Sequence, residues 1–561
     1  MTVSSGTHAV PAARARLLSD ALISRLLTAL VAIPLALFFL LPLLAILARS
    51  FETASGFGLG NFSATLSTAR FWELVRNSVA MSALATVLSV SLAYLYAYGL
   101  QRTNVYGKSV LRLVALMPLF APSLVQAQGL ILLLGRNGAL NRFFDAGIEI
   151  YGFWGTAIAN LLYAFPYAFL ILSAALAIAD GRLYESATVM GAGPLRIFRT
   201  VTLPSTRFGL AAAGFVVFTL VMTDFGNPMV IGGDFNVLAT EIYNQVNGQA
   251  QFGLGAVIGV VLLVPAVIAK VLEKRLTRRQ HALLTAQSVP LVIRPSWRRD
   301  LGFGVYLYIV AALMMSVVGV VIFASFVRLW PYNMQLTLKH YQFDVQNGIA
   351  PLWNSIGVAL ATALLGVVLA GMAAIVVNKF RNSFTGALSL LAVLPSAVPG
   401  MVLGLGYVLT FNHPMNPLHV LYGGFFLIIV LNVYYNHSQA FLISSTSLSQ
   451  IGSSFDEAST MLGAGVLRTL WKVTLPLIWP TLLGIAVFYF MRAMVSLSAV
   501  IFLITPSTQV AAVSVLQLTD RGAVNQAAAF SVCIMATVVG CLLLVRLVLV
   551  LAGARHVTLI R

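Results

Sequence analysis

Charged residues are scarce in this chain of 561 residues: they make up 9% of it, whereas 59% of the residues are hydrophobic. A soluble domain carries about 25% charged residues. The chain therefore has too few charges to cover itself with a surface compatible with water. This scarcity excludes an ordinary soluble enzyme or binding domain. It predicts an all-α polytopic membrane protein whose solvent is lipid.

Cysteine is nearly absent as well, with Cys533 and Cys541 inside a single apolar run. They form neither a disulfide framework nor a metal-ligand pattern, so we interpret them as buried apolar side chains and predict no metal site. Residues 1–25 carry three arginines ahead of a long apolar run. No small-residue cleavage site is evident there, so we interpret the run as an uncleaved first span.

Acidic residues are the rarer charge, with 16 Asp and Glu against 34 Lys and Arg, a net charge of +18. This balance could indicate a nucleic-acid partner, but the placement of the charges favours a membrane protein. Twelve apolar segments are long enough to span a bilayer, and the least regular are 208–225 and 387–411. With the N-terminus inside, inner segments hold 25 Lys and Arg and outer segments hold eight. This asymmetry predicts that both termini are cytoplasmic.

Two segments of the chain resemble each other in a register that aligns Glu185 with Glu457. Residues 185–204 and 457–476 are identical at 11 of 20 positions and share Gly-Ala-Gly and Val-Thr-Leu-Pro. Such repeats predict two parallel halves of six spans each.

A second register aligns Asn77 with Asn354 and also pairs two prolines of each half. These prolines are expected to break the third span of each half. They are Pro118 and Pro122 in the first half, and Pro395 and Pro399 in the second.

The repeats divide the chain into five segments. Residues 1–25 are predicted to be a cytoplasmic N-terminal segment, and 26–269 the first transmembrane domain. Residues 270–300 are a basic cytoplasmic linker with eight Lys and Arg, which either fixes the topology or binds anionic lipid. Residues 301–551 are the second transmembrane domain, and 552–561 a cytoplasmic tail.

Each repeated segment lies in a cytoplasmic loop between the fourth and fifth spans of its half. Each is predicted to be a short helix, a Gly-Ala-Gly turn, and a second short helix that the proline of Leu-Pro ends. This pattern resembles the "EAA" loop of permease subunits of binding-protein-dependent ABC importers, and the resemblance covers residues 26–551. In that family the loop is the coupling helix that docks on a cytoplasmic ATPase.

Carried over by position, the resemblance assigns ATPase docking to ten residues. They are Glu185, Ala187, Gly191, Gly193 and Pro204 in the first half, and Glu457, Ser459, Gly463, Gly465 and Pro476 in the second. The resemblance further implies two copies of an ABC ATPase, a periplasmic substrate-binding protein, the bacterial inner membrane and alternating access.

The chain itself is expected to be a permease subunit and not an enzyme. Gly107-Lys108-Ser109 mimics the end of a phosphate-binding loop, but that loop needs glycine where this chain has Arg102. The resemblance therefore places ATP and Mg²⁺ on the partner ATPase and no cofactor on this chain.

Fused twelve-span permeases of this type resemble a branch that imports ferric iron, thiamine or 2-aminoethylphosphonate. Residues 222–233, 236–240 and 494–500 resemble the aminoethylphosphonate members most, which implies that substrate, with ferric iron or thiamine as alternatives. An ion-coupled secondary transporter is the alternative of another class. It should place ionisable residues deep in several spans, and here Arg492 is essentially the only one.

A chemical argument points to the same substrate. In the register that aligns the repeated loops, Asp224 corresponds to Ser496, one helical turn beyond Arg492, so both charged groups can approach the axis between the halves. A guanidinium suits a phosphonate and a carboxylate suits an ammonium group. The alternatives are a structural pair of Arg492 with a carboxylate, or an arginine that reaches the interface. The rest of the predicted pathway, with interhelical hydrogen bonding as the alternative, is Asn160, Tyr163, Tyr167, Asn432 and Tyr435.

Overall fold

A computed structural model describes residues 10–53, 56–282, 291, 293, 295–343, 348–380 and 384–551. Within these residues, ten helices are long and apolar enough to cross a membrane, and two further pairs of helices are sharply bent. In chain order the twelve elements are span 1 (Leu22–Phe51), span 2 (Ala69–Arg102), span 3 (Lys108–Phe120 with Leu124–Phe144), span 4 (Phe153–Ala177), span 5 (Pro194–Met222), span 6 (Phe252–Glu273), span 7 (Trp297–Ser325), span 8 (Ala350–Lys379), span 9 (Thr385–Ala397 with Gly400–Phe411), span 10 (Phe425–Ser449), span 11 (Val466–Met494) and span 12 (Val524–Leu551). The all-α polytopic fold is thus confirmed.

Spans 3 and 9 are broken at the predicted prolines. Their two segments meet at 106° in span 3 and at 110° in span 9. Each break follows a short 3₁₀ turn, Met117–Phe120 in the first half and Leu394–Ala397 in the second. A proline lacks the N–H that would continue the helical ladder, and it disfavours helical backbone at the preceding residue. The two prolines in each break therefore end one helical segment before the next begins.

The bent pairs cross from one side of the protein to the other, as the directions of their neighbours show. Near its start, span 2 contacts span 4 through Met81 and Asn160 (3.2 Å), and near its end through Gln101 and Ser173 (3.0 Å). The two spans run in the same direction, so span 3 between them must return across the protein. In the second half, Asn378 at the end of span 8 donates to Ser445 near the end of span 10 (2.8 Å), which requires the same of span 9.

Equivalent elements in the two halves follow the two registers of the sequence repeat. Up to the middle of the bent spans the Asn77–Asn354 register holds, as in the helices Lys108–Leu116 and Thr385–Val393. From span 4 onward the Glu185–Glu457 register holds, since span 4 begins at Phe153 and span 10 at Phe425. The loop that follows the bent span is therefore shorter in the second half. Both registers are confirmed as structural registers.

The first span of each half packs against the third span of the other half. A Cβ atom at Gly129 of span 3 would lie 2.3 Å from the Val317 carbonyl oxygen of span 7. A Cβ at Gly406 of span 9 would lie 2.6 Å from the Pro42 carbonyl oxygen of span 1. Glycine is required at both positions because the backbones approach so closely. These two crossings interlock the halves.

Shorter elements connect the spans. The strands Glu52–Thr53 and Gly56–Phe57 pair antiparallel, as do Val327–Leu329 and Asn333–Leu336. The short helices include Gly60–Leu66, Gly181–Val189, Gly226–Ile231, Leu238–Tyr243, Ser453–Met461 and Ala511–Asp520. We call the side that holds Gly181–Val189 and Ser453–Met461 the loop side.

The predicted linker is only partly described. The helix of span 6 continues to Ala282, so the first part of the segment 270–300 is helical. Residues 283–290, 292 and 294 lie outside the described residues, as do 1–9 of the predicted N-terminal segment and the whole predicted tail, 552–561.

Candidate functional site

Two loops with the same backbone geometry lie on the loop side. We call them the first Gly-Ala-Gly loop (residues 181–204) and the second (residues 453–476). Each begins with a helix, Gly181–Val189 or Ser453–Met461, which ends in a left-handed glycine. Gly191 has φ of 76° and Gly463 has φ of 72°, a conformation that favours glycine. The predicted helix and turn are therefore present in both loops.

The turn after each loop helix is closed by backbone hydrogen bonds. In the first loop, the Ala192 N–H donates to the Ala187 carbonyl at 3.0 Å. In the second, the Ala464 N–H donates to the Ser459 carbonyl at 3.0 Å. This is the Schellman pattern, in which a left-handed glycine lets the chain turn back on the helix end. The shared geometry gives both loops the same protruding shape.

The prediction that Pro204 and Pro476 end a short helix is wrong. Span 5 is continuous from Pro194 to Met222 and span 11 from Val466 to Met494. A π-helical turn precedes each proline, so the Leu203 N–H bonds five residues back to the Phe198 carbonyl. A π turn shifts the ladder by one residue, which relieves the contact between the proline ring and the backbone of the preceding turn. The proline is thus accommodated inside a continuous helix.

The ten residues assigned to the loops by position divide into an inner and an outer set. Ala187 and Ser459 are buried, and the Ser459 hydroxyl bonds to Thr469 at 2.6 Å on the other arm of the same loop. A small side chain is needed there because the two arms pack together. The other eight positions are exposed: Glu185, Gly191, Gly193, Pro204, Glu457, Gly463, Gly465 and Pro476.

Exposed apolar side chains project from both loops, and sequence reasoning missed them. At one pair of equivalent positions, Met190 is 78% exposed and Leu462 is 87% exposed. We call the complete set the apolar ridge: Leu183, Val189, Met190 and Leu195 in the first loop, and Phe455, Met461, Leu462 and Leu467 in the second. Exposed apolar clusters mark interaction surfaces. The available signal was the repetition of apolar residues at the same four positions in both loops.

Each loop helix is fastened to the end of a span by a different contact. In the first half, the buried guanidinium of Arg102 lies 5.0 Å from the centre of the Tyr184 ring and donates to the Leu176 carbonyl at 2.7 Å. At the equivalent positions of the second half, Lys379 forms an ion pair with Asp456. These contacts join the first loop helix to the end of span 2 and the second to the end of span 8.

A cavity lies between the halves where the predicted charged residues meet. It has a volume of about 40 Å³ and is lined by both Asp224 and Arg492. Its other polar lining includes Tyr163, Tyr435 and Ser496. The two charged groups come from different halves, as the sequence register suggests. We call this space the outer cavity.

A second cavity of about 110 Å³ lies nearer the loop side. Its lining includes Lys270 and Glu273 at the end of span 6, together with the broken segment Pro395–Pro399 of span 9. We call it the inner cavity. The two cavities share one wall, formed by Tyr167, Leu220, Thr223, Tyr435 and Arg492.

Arg492 sits in the shared wall with neutral hydrogen-bond partners. Its Nη1 donates to the Tyr167 hydroxyl at 2.9 Å, and its Nε donates to Asn436 Oδ1 at 3.0 Å. Within the described part of the chain, no carboxylate lies at salt-bridge distance from this guanidinium. A structural pair with a carboxylate is therefore not what holds Arg492 among these residues.

Asp224 is fixed by a different set of contacts. Its carboxylate accepts hydrogen bonds from the backbone N–H of Asn227 at 3.0 Å and from the side chain of Ser123. Ser123 lies at the break of span 3, so the bent span positions the carboxylate. Asp224 and Arg492 thus face one cavity without forming an ion pair.

Two of the residues predicted for the pathway lie away from both cavities. Asn160 is fully buried inside the first half, where it donates to Met81 Sδ at 3.2 Å and accepts from Asn227 at 3.0 Å. Asn432 donates to the Ile428 carbonyl of its own helix at 3.0 Å. These contacts favour the alternative interpretation, in which both side chains serve packing between and within helices.

Comparisons with known proteins agree with the doubled architecture. The family described as "Binding-protein-dependent transport system inner membrane component" matches the chain twice, over residues 85–282 and 355–555. The ferric transport system permease protein FbpB of Actinobacillus pleuropneumoniae is 30% identical over 532 residues, which are 90% of this chain and 75% of that relative. The putative ferric transport system permease protein FbpB 1 of Haemophilus influenzae is 30% identical over 516 residues, 86% of this chain and 79% of that relative.

A solved structure of a bacterial ABC transporter involved in alginate import contains a chain that aligns with 48% of this one, over its own full length, at 17% identity and a TM-score of 0.39. One matched region of the family profile lies in each structural half, beginning within the second span of that half, and each region includes one Gly-Ala-Gly loop. The chain therefore belongs to the family of binding-protein-dependent transport system inner membrane components.

Proposed function

We propose that this chain, a permease subunit of an ABC importer, forms the pathway for a small zwitterionic phosphonate, with 2-aminoethylphosphonate as the candidate substrate. The single observation that carries the proposal is the outer cavity, in which Arg492 and Asp224 lie on opposite halves without pairing with each other. A phosphonate would bind the guanidinium and an ammonium group the carboxylate.

The electrostatics of the cavity support an anionic group at Arg492. The hydrogen-bond partners of the guanidinium, Tyr167 and Asn436, are uncharged and leave its positive charge uncompensated. A buried charge without a counter-ion is costly, so an anion that enters the cavity gains from meeting it. Guanidinium and phosphonate also match in geometry, because two N–H donors can bind two oxygens at once.

The size of the cavities supports a pathway that opens on alternate sides. The outer cavity of about 40 Å³ has room for a few water molecules and not for a substrate. The halves must therefore separate before a phosphonate can enter. The wall of Tyr167, Leu220, Thr223, Tyr435 and Arg492 is the barrier that would have to open toward the inner cavity.

The partners follow from the two faces of the molecule. We assign each of the two loop parts of the apolar ridge as the docking surface for one copy of a cytoplasmic ABC ATPase, which binds the ATP and Mg²⁺. This places the loop side and both termini in the cytoplasm of a bacterial cell. A periplasmic binding protein would deliver the substrate to the opposite side. ATPase closure would move the loop helices, and the contacts of Arg102 and Lys379 would pass that motion to the spans.

Ferric iron is the second candidate substrate. It is favoured by the two relatives named above, both ferric transport system permease proteins, at 30% identity over most of this chain. An iron pathway would use Asp224 and the tyrosines Tyr163, Tyr167 and Tyr435 as oxygen ligands, and Arg492 would then oppose the cation by charge repulsion. The two candidates therefore predict opposite effects of removing the guanidinium charge.

The test is uptake by proteoliposomes that contain the permease, its ATPase and its binding protein. Labelled 2-aminoethylphosphonate, ferric iron and thiamine are supplied separately, and ATP-dependent accumulation is measured. Accumulation of the phosphonate alone, lowered by about tenfold or more in Arg492→Gln, supports the proposal. Accumulation of iron that Arg492→Gln preserves or improves overturns the substrate and keeps the importer. Accumulation of thiamine alone also overturns the substrate.

A further inference from the structure

An open groove lies on the loop side, where the first span of the second half meets the turn after span 2. Its volume is about 500 Å³. It is lined by Val105 and Tyr106 of the turn and by Leu301, Val305, Tyr308 and Ile309 of span 7. The four span 7 side chains are each at least half exposed. The groove is therefore an apolar trough on the outside of the span bundle, with a length of helix as its floor.

The walls of the groove are held together by hydrogen bonds that leave its apolar surface open. The Tyr308 hydroxyl donates to the Tyr106 carbonyl at 3.1 Å. Asp300 accepts from the backbone N–H groups of Asn104 and Ser296, each at 3.2 Å. The turn is thus fixed against the start of span 7, and the groove is a built feature of the fold.

Basic side chains lie next to Asp300, which lines the loop-side end of the groove. Lys108 begins a helix two residues after Tyr106 and interacts electrostatically with Asp300, Arg112 and Arg299. Arg299 forms an ion pair with Asp300 at 2.8 Å. In the described ranges no carboxylate lies at salt-bridge distance from Lys108 or Arg112. Asp300 is thus a single carboxylate beside three basic side chains, which leaves a net positive charge next to the apolar trough.

We propose that this groove binds an anionic phospholipid, with the phosphate at Lys108 and Arg112 and one acyl chain along Leu301, Val305 and Ile309. Span 7 begins at Trp297, which is 72% exposed and carries Arg298 stacked at 5.5 Å from its ring centre. Tryptophan and arginine at the end of a span mark the headgroup level of the bilayer. The groove therefore starts at the headgroups and runs into the hydrocarbon, which is the shape of a lipid and not of a soluble ligand.

The site has a structural consequence for the importer. The groove lies where span 7 of the second half crosses the turn after span 2 of the first, and Arg102 at the end of span 2 contacts Tyr184 of the first loop helix. A lipid bound there would tie the two halves together beside the first Gly-Ala-Gly loop. The inference rests on the membrane location of the family and is independent of the proposed substrate.

The experiment measures lipid retained by the purified chain, using native mass spectrometry after exchange into phosphatidylglycerol or phosphatidylcholine. We expect wild type to retain phosphatidylglycerol preferentially. Because each basic residue at a bilayer surface contributes about fivefold in affinity, Lys108→Gln with Arg112→Gln should lower phosphatidylglycerol affinity by about 30-fold. Val305→Trp fills the trough without changing any charge and should also reduce retention.

The matched control is Arg25→Gln with Arg546→Gln, which removes two exposed arginines from the ends of spans 1 and 12 on the same side. Retention in this control should equal wild type. Equal retention of both lipids, or loss in the control as large as in the Lys108 and Arg112 variant, overturns the proposal and leaves only general attraction between a basic face and the bilayer. Because no substrate, ATPase or binding protein is present, this result is read separately from the test of transport.

Discussion

Arg492 Nη1 in span 11 donates a 2.9 Å hydrogen bond to the hydroxyl of Tyr167 in span 4. The two spans belong to different halves, and both residues lie in the wall between the outer and inner cavities. The bond therefore joins the halves within the barrier of the proposed pathway. It gives the barrier a specific contact that must break when the halves separate.

Removing the charge of Arg492 and removing its hydrogen bond with Tyr167 should have different effects on uptake. Hydrogen bonds to charged groups contribute about 1.5–3 kcal/mol, so Arg492→Gln should lower phosphonate uptake by about 10- to 100-fold. Tyr167→Phe keeps the charge and removes the bond between the halves, so it should keep uptake and raise the rate of ATP hydrolysis without substrate. Both are measured in proteoliposomes. Equal loss of uptake in the two variants would mean that the guanidinium acts only as a structural contact.

Much of the fold followed from local sequence patterns. Apolar run length fixed the ten unbroken spans, and the paired prolines marked the two broken ones, because both signals act within a few residues. The fate of Pro204 could not be predicted in this way. Whether Pro204 ends the helix or is accommodated by a π turn depends on how the preceding segment, Ile197–Thr202, packs. That packing involves tertiary contacts, which local sequence does not reveal.

The residues of the candidate site could likewise be predicted from the sequence only in part. The charge of Arg492 inside an apolar span and the repeat register that aligns Asp224 with Ser496 were sufficient to place both groups near the axis between the halves. Asn160 and Asn432 gave the same signal of a polar residue in a span, yet their side chains form hydrogen bonds between and within helices and do not line the outer or the inner cavity. Sequence polarity cannot distinguish the two cases, because the rotation of a helix about its axis is set by its neighbours.

The apolar ridge should be the surface that binds the ATPase. Met190→Asp in the first loop and Leu462→Asp in the second place a charge on a surface that a partner would desolvate, so each should reduce co-purification of the ATPase. The matched control is Met415→Asp, because Met415 is 86% exposed and lies on the opposite side. If the ATPase co-purifies equally with all three variants, the ridge is not the docking surface.

The contacts of Arg102 and Lys379 with the loop helices should contribute differently to the free energy of unfolding. Arg102 is buried, and Arg102→Gln would leave its polar partners unsatisfied, which should cost about 1–3 kcal/mol in the free energy of unfolding. Lys379 pairs with Asp456, whose side chain is 39% exposed, so Lys379→Gln should cost less than about 1 kcal/mol. Thermal unfolding in detergent measures both.

A charge swap supplies the control for the ion pair between Lys379 and Asp456. The double variant Lys379→Glu with Asp456→Lys should recover the uptake that either single change loses, because it restores an ion pair in the same place. Failure of the swap to recover uptake would show that the contact does not transmit motion through its charge.

Substitutions at the two glycines of a Gly-Ala-Gly turn should have different effects. We expect one glycine to be needed for the conformation of the loop, and the other for its docking on the ATPase. Gly191 has φ of 76°, and a left-handed conformation costs an L-residue about 1–2 kcal/mol, so Gly191→Ala should weaken the turn in the isolated chain. Gly193 has φ of −70°, and an added Cβ would meet no atom within 4 Å. Gly193→Leu should therefore leave the thermal stability of the isolated permease unchanged.

The effect of Gly193→Leu should emerge only in the complex. If the glycine allows close approach of the ATPase, the leucine should abolish uptake and ATPase stimulation while the permease inserts normally, and Gly465→Leu should do the same in the second loop. Gly193→Ala is the graded comparison, because one methyl group fills far less of the space. Normal transport by both leucine variants would show that the partner does not contact these turns, and the assignment of the loops to ATPase coupling would fail with it.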